Sequence, residues 1–371
     1  MRQISRLLAA LGTAGATAFS LAGPAAADVS SSTVYVSPHG VGGHADRSCR
    51  TAAFRSINHA IASVHAGGTV VVCRGVYHTE AVVTKSLALL GRSAVINARG
   101  QHPVIPHLPG GSGIVVLGTR NVKVSGFTVQ HAGFDAILVA RSHHVLISHN
   151  LLKHNGDVGV DFNGTHDSLA TRNVSEFNAG GGFLIADDLG RTHGNAVTWN
   201  IARHNPGGCG VIIAGHSTSG VWGNLVAHNS ITFNGLNRKQ PGAGVVIASE
   251  VKHEHVTRNE VLGNYIAGNG LAGVTIHSHV PDQSLNYNAI VGNDIGTNNL
   301  RGDPIGLAPP VTAHPDRHTT GILVGSSSRI HMLIRGNRIH HNRYGIYLNG
   351  RIHARIHHNR YVRVRVPIKV A

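Results

Sequence analysis

The sequence is poor in acids, in aromatic rings and in sulfur: Asp+Glu total 17 against 32 Lys+Arg, aromatic residues make up 5%, and there are only three Cys and two Met. So few cysteines in 371 residues exclude a disulfide-dense miniprotein. With 42% hydrophobic and only 13% charged residues, intrinsic disorder is excluded as well. Gly is abundant at 47, but it has no three-residue period, which rules out collagen. Beyond residue 27 no apolar run approaches the ~18 residues that a membrane-spanning helix needs. What is plentiful is His, 29 in all, together with Asn and Gly at recurring positions.

Residues 1–27 read as a secretory signal: Arg2 and Arg6 precede an apolar run from Leu7 to about Gly23, and Ala25-Ala26-Ala27 offers small residues for cleavage. The mature chain is then expected to be exported, and it keeps a strong basic surplus that suits an acidic polysaccharide or an anionic cell-wall polymer, with no nucleic acid and no membrane span. The charge is uneven. Arg329, Arg335, Arg338, Arg343, Arg351, Arg355, Arg360, Arg363, Arg365 and Lys369 meet no acid after Asp316, so one end is basic. In an oxidising compartment Cys49 and Cys73 can pair, closing a loop worth ~3 kcal/mol in the chain-entropy model. Cys209, within Gly208-Cys209-Gly210-Val211, reads as a small buried hydrophobe because no Cys–His signature surrounds it.

Asn recurs at a spacing of five, followed by a variable turn and then Gly with a β-branched or aromatic residue. The pairs are Asn150 and Asn155, Asn173 and Asn178, Asn200 and Asn205, Asn229 and Asn234, Asn264 and Asn269, Asn293 and Asn298, and Asn337 and Asn342; a further fragment begins at Asn359. Strands open at Gly159-Val160, Gly182-Phe183, Gly210-Val211, Gly244-Val245, Gly273-Val274, Gly321-Ile322 and Gly345-Ile346. Units this short cannot bury a core alone and must stack on their neighbours. The fold expected is all-β, a single right-handed parallel β-helix. Asn tolerates the left-handed conformation of sharp turns, and stacked Asn amides can hydrogen-bond from coil to coil. Strand alternation places His154, Phe177, His204 and Phe233 inward, as a column of core rings. Lys153, Glu176 and Arg203 form a surface ladder of alternating charge. Before the repeats, Phe54, Ile57, Ala60, Ile61 and Val64 recur at helical spacing and end at Gly67-Gly68, which predicts a helix capping the open end of the stack. The chain divides into a signal (1–27), an extension with the capping helix (28–68) and the β-helix (69–371).

The run Phe54-Arg55-Ser56-Ile57-Asn58-His59-Ala60-Ile61, then Gly68-Thr69-Val70-Val71-Val72, Gly75-Val76-Tyr77 and Leu87-Ala88-Leu89-Leu90-Gly91, resembles the opening of pectate-lyase-like β-helix proteins, and the Asn repeats continue the likeness over roughly residues 33–366. The chain is also similar to the β-helix accessory proteins of periplasmic copper delivery. That superfamily contains lyases, hydrolases, epimerases and non-catalytic binders, so the resemblance implies the fold and leaves the activity open.

Aligning the strands on their Gly puts Asp188, His216, Glu250 and His279 in one external row on successive coils, about 4.8 Å apart. Three readings attach to this row. In the first, Asp188 and Glu250, two coils apart, act as an inverting hydrolase pair with Asp187 and His216. In chain order Asp161, Asp187-Asp188, Gly215-His216 and Lys252 resemble the polygalacturonase set, although Ser217 stands where that family has Gly and no Arg precedes Lys252 by two. In the second, a uronate undergoes β-elimination, with Arg191, His193, Lys252 and His253 available to neutralise its carboxylate or to bind it. In the third, His216, Glu250 and His279 bind calcium, zinc or copper with His277 as a spare ligand, and the protein is a metal-handling or glycan-binding accessory. Seven of the 17 acids fall between Asp135 and Asp188, which also points to this region. The Pro-rich excursion from Leu300 to Thr320 interrupts the repeat and is expected to wall the same face.

Overall fold

Short β-branched segments separated by Asn and Gly cannot form long hairpins, and here each strand pairs in parallel with its counterpart one coil away. The computed structural model describes residues 33–40, 48–106, 108–303 and 317–371; the signal segment and most of the Pro-rich excursion lie outside the described residues.

Among the described residues three long strand columns run along the stack, with a short fourth made of Thr192–His193, Val221–Trp222 and Val256–Thr257. The first contains Val158–Asn163, Gly181–Ala186, Val211–Gly215, Val245–Ser249 and Val274–Ser278, in register through Val160, Phe183, Val211, Val245 and Val274. The second contains Leu169–Thr171, Ala196–Thr198, Leu225–Ala227, Glu260–Leu262 and Ala289–Val291. The third contains Leu151–Lys153, Val174–Glu176, Ile201–Arg203, Ser230–Thr232 and Tyr265–Ala267. Alternation fills the interior with one column residue per coil, for example Phe162, Ile185, Ile213, Ile247 and Ile276, all fully buried. The residues between them in sequence, Asp161, Leu184, Ile212, Val246 and Thr275, face outward along one row.

Each pair of Asn brackets a third-column strand, and both members are buried. Asn173 Nδ2 donates to Asn200 Oδ1 at 3.0 Å, and Asn200 Nδ2 to Asn229 Oδ1 at 3.1 Å; the backbone N–H of each Asn donates to the same oxygen. The second ladder does the same through Asn178, Asn205 and Asn234. A third ladder, Asn195, Asn224, Asn259 and Asn288, lies before the second column and escaped the sequence pattern because it stands outside the five-residue pair. The helix runs over Ile57–Ser63: Ser56 caps it, so the helical spacing that starts at Phe54 extends beyond the helix itself. Ile57, Ala60 and Ile61 are buried. Cys49 and Cys73 form a disulfide.

The expected inward column is corrected. His154, Phe177, His204 and Phe233 adopt φ of +56°, +57°, +54° and +56°, and it is these residues, immediately before the Asn, rather than the Asn, that take the left-handed turn. The turn breaks strand alternation, so two successive side chains diverge: the Asn enters the ladder and its predecessor is thrown out to solvent. Phe177 and Phe233 are accordingly 44% and 47% exposed. The rings still stack, with centroids of His131, His154, Phe177, His204 and Phe233 separated successively by 6.1, 5.3, 5.6 and 5.3 Å. The charge ladder forms in part: Arg203 Nη2 lies 2.8 Å from Glu176 Oε2.

Candidate functional site

The outward row of the first column makes the floor of a groove of about 530 Å³. Leu184, Ile212 and Val246 supply apolar floor, and Asp157, His216, Glu250, His277 and His279 supply its polar groups. The strand register puts Asp188, His216, Glu250 and His279 at equivalent positions just past their strands, because each strand is held at the same offset to the next by the Gly and Asn positions.

Within this row three side chains touch. His216 Nδ1 lies 3.1 Å from both Asp188 carboxylate oxygens, and its Nε2 lies 3.8 Å from Glu250 Oε1. The hydrogen bond to Asp188 raises the His216 pKa to about 9 against the opposing effect of burial, so the ring is an imidazolium at neutral pH. Burial pushes the Asp188 carboxyl up, but its hydrogen bonds to His216 and Asn163 leave it below its ordinary value. Asn163 fixes the carboxylate from the other side, donating to Asp188 Oδ2 at 2.8 Å and to Asp161 Oδ2 at 3.3 Å, while its own Oδ1 accepts from the Leu189 N–H.

The remaining residues singled out in the sequence have separate places. Asp187 is fully buried and anchors the turn 216–220: its carboxylate accepts from the backbone N–H groups of His216, Ser217 and Gly220 and from Ser217 Oγ, at 2.8 to 3.0 Å. Ser217 at the position of the polygalacturonase Gly is thus a ligand to this turn. Asp161 is buried in the outward row one coil before Leu184; burial raises its pKa well above the carboxylate range, as it does for Asp135. His193 is stacked between His166 at 5.0 Å and Trp222 at 4.7 Å, outside the groove lining. Arg191, Lys252 and His253 are exposed on turns. His277 is nearly buried, and its Nε2 faces His279 Nε2 at 3.0 Å. Burial and the neighbouring His279 lower the His277 pKa to about 3, so its ring is neutral. Among the described residues no group of three His, Cys, Asp or Glu is disposed to hold a metal ion, so His216, Glu250 and His279 do not converge as the expected ligand set. His216 is already committed to Asp188 and Glu250.

Two groups were not read from the sequence. Asp157 lines the groove, and burial raises its carboxyl above the ordinary value. Glu254, fully buried, accepts from Ser249 Oγ at 2.9 Å, and burial pushes its pKa up to about 7. It packs against Gly215, where an added Cβ would lie 1.1 Å from Glu254 Oε1, so the glycine before His216 is what admits this carboxyl. Cys209 lies in the groove wall with its thiol pushed up to about 12 by burial, which leaves it unreactive.

The fold is similar to that of pectate lyase Pel9A, at a TM-score of 0.62 and 15% identity over 88% of this chain and 79% of that one. It is similar also to the A-module of mannuronan C-5 epimerase AlgE4 from Azotobacter vinelandii, at a TM-score of 0.59 and 17% identity over 85% of this chain and 91% of that one. An alginate lyase from Paenibacillus sp. gives a TM-score of 0.55 and 14% identity over 82% of this chain and 96% of that one. At such identities the likeness establishes the pectate-lyase-like right-handed parallel β-helix and nothing further. No curated protein matches the chain. The family model for NosD, described as a periplasmic copper-binding protein, matches residues 91–305, more than half of the sequence. The chain therefore belongs to the NosD family.

Proposed function

We propose that this is an exported protein that binds an acidic polysaccharide along the groove and cleaves it by acid–base chemistry. The observation that carries the reading is the contact run Asp188–His216–Glu250, contributed by successive coils at the border of an open groove. Cleaving a glycosidic bond, by hydrolysis or by elimination, needs a group that gives a proton and one that takes it, both within reach of one sugar. His216, kept protonated by Asp188, is the proton donor or the cation that neutralises a developing charge. Glu250, half exposed and on the far side of the ring, is the base. Asp188 and Asn163 position His216. The apolar floor of Leu184, Ile212 and Val246 offers a surface to sugar faces, and Arg191 and Lys252, exposed within three residues of Asp188 and Glu250 in sequence, supply cations for a uronate chain, with His253 next to Lys252. The net charge of +15 favours an anionic polymer over a neutral one.

The reading is tested on polygalacturonate and alginate. Glu250→Gln should abolish cleavage and leave the melting temperature nearly unchanged, because an exposed ion pair contributes only ~0–1 kcal/mol. New reducing ends alone mark hydrolysis, and ultraviolet absorbance of an unsaturated uronate marks elimination. Full turnover by the variant would overturn the assignment.

A second reading, handling of copper as cargo, is favoured by the two facing imidazole nitrogens of His277 and His279. A neutral, nearly buried imidazole with a partner just past the end of the same strand fits a soft monovalent ion that accepts few ligands. Copper retained after dialysis, and lost in His277→Ala but not in Glu250→Gln, would select this reading over the first.

A further inference from the structure

The turn anchored by Asp187 ends at Gly220, and the strand that follows it, Val221–Trp222, borders a second cleft, of about 400 Å³, that shares no lining residue with the groove. The register stacks His193, Trp222 and Thr257 at one position on three successive coils. Rings fill this row from His143 through His166 and His193 to Trp222, at centroid spacings of 4.7, 5.0 and 4.7 Å. There the row stops. Thr257 has no ring to lay over the indole, so Trp222 is covered on the His193 side and borders the cleft on the other.

The opposite border is built by the next turns. Arg258 and Tyr287 both adopt left-handed backbone conformations, φ +57° and +64°, which throw their side chains outward. The Arg258 guanidinium carbon lies 5.7 Å from the Tyr287 ring centroid, which steadies the cation, and Tyr287 is 63% exposed. Ser219 and Ser284 add hydroxyls between the two borders. Gly220, at φ +96°, could not be replaced without pressing a Cβ to 3.1 Å from the indole. Among the described residues the lining includes no carboxylate. Asp187 lies behind the wall, where the Gly220 N–H and its other donors saturate it, and Glu254, next to His255 in sequence, is turned into the protein and fully buried. Unlike the groove, this cleft is lined without a carboxylate: it offers one flat apolar face, hydroxyls, the His255 imidazole and the Arg258 cation.

We propose that the cleft binds a sugar ring bearing a carboxylate, a single residue of a uronate-containing polysaccharide, with its apolar face on Trp222 and its carboxylate on Arg258. The proposal rests on the polysaccharide reading above and deepens it: the groove, with Asp157, Asp188 and Glu250, holds the reacting bond, and the acid sugars are read by a cationic aromatic site elsewhere on the same coils. A pyranose face and an indole exclude water from each other, and a guanidinium is the side chain best matched to a carboxylate.

The chain has two Trp, so Trp199→Phe leaves Trp222 as the sole indole reporter. In that background, titration with oligogalacturonate is expected to change Trp222 emission saturably. Arg258→Ala should weaken binding about tenfold or more, and the methyl-esterified oligosaccharide should bind the parent as weakly as the acid binds the Arg258→Ala variant. No change in emission, or equal affinity for acid and ester, overturns the proposal. Glu250→Gln separates this from the groove chemistry. Retained emission change with lost cleavage supports both assignments. Cleavage that persists in Glu250→Gln, with the emission change intact, sinks only the groove assignment. Cleavage in the parent without any emission change sinks only the cleft.

Discussion

At the scale of single residues, the Asn positions carry the fold and the row residues carry the chemistry, and their expected responses to substitution differ accordingly. Asn264 makes four contacts at once: its Oδ1 accepts from the backbone and side-chain amides of Asn229, both at 2.9 Å, and its Nδ2 donates to Asn293 Oδ1 at 3.0 Å and to the Val226 carbonyl at 2.9 Å. Asn264→Ala removes a partner from buried donors and acceptors on the two neighbouring coils, Asn229 and Val226 on one and Asn293 on the other, and should cost roughly 2–4 kcal/mol, measured by chemical denaturation. An unchanged midpoint would contradict the ladder as a source of stability. Asp187 differs from its neighbour in surroundings. Its place in an Asp-Asp pair suggested catalysis, yet four donors enclose it, and only its neighbour Asp188 keeps an oxygen toward the row.

At the scale of elements, turns decide what each coil shows to solvent. A left-handed residue before every ladder Asn but Asn298, which follows Thr297, converts what periodicity alone reads as a core column into an external stack of rings. Two Phe of similar volume in adjacent segments therefore have different worth. Phe183→Ala removes a fully buried ring from the first column and should cost about 3–5 kcal/mol. Phe177→Ala removes a ring 44% exposed between His154 and His204 and should cost about 1 kcal/mol. Equal losses in thermal melts of the two variants would mean that the stack is structural in the same sense as the core. The same logic places Trp222: it ends a ring row because the next coil supplies Thr257.

At the scale of the whole molecule, the groups whose titration is shifted by burial oppose one another. Asp135, Asp161 and Glu254 have folded pKa values raised by burial, so the stability they contribute is present at low pH and is lost as pH rises, for Glu254 from its ordinary range up through about 7. His131, His143, His193 and His277 are lowered by burial, so their contribution is present above the ordinary His value and is lost as pH falls, for His277 toward about 3. The two slopes oppose each other in the weakly acidic range, and the stability profile of the wild-type protein should be shallow there. Glu254→Gln removes one of the three acids from one side of the balance. Its stability relative to wild type should rise, on the order of 2 kcal/mol, between pH ~4.5 and ~7.5. A difference independent of pH, in melts taken across that range, would show that Glu254 does not titrate as a buried carboxyl.

The sequence by itself determined the stack. A five-residue Asn spacing, Gly before each strand and β-branched pairs have only one economical arrangement, parallel coils with amide ladders, because each unit lacks enough apolar surface to bury a core alone. It also set the row Asp188, His216, Glu250 and His279, since a constant offset from the strand Gly survives as a constant position in the coil. Tertiary structure alone decided the rest. Whether a carboxyl such as Asp187 is saturated by a turn, whether Glu254 is admitted by a glycine, and whether Trp222 borders a cleft all depend on what neighbouring coils place across the gap. Gly220 is 33 residues from Asp187 along the chain, Gly215 is 39 from Glu254 and Tyr287 is 65 from Trp222, and loops of unequal length separate them, so no local pattern encodes the contact.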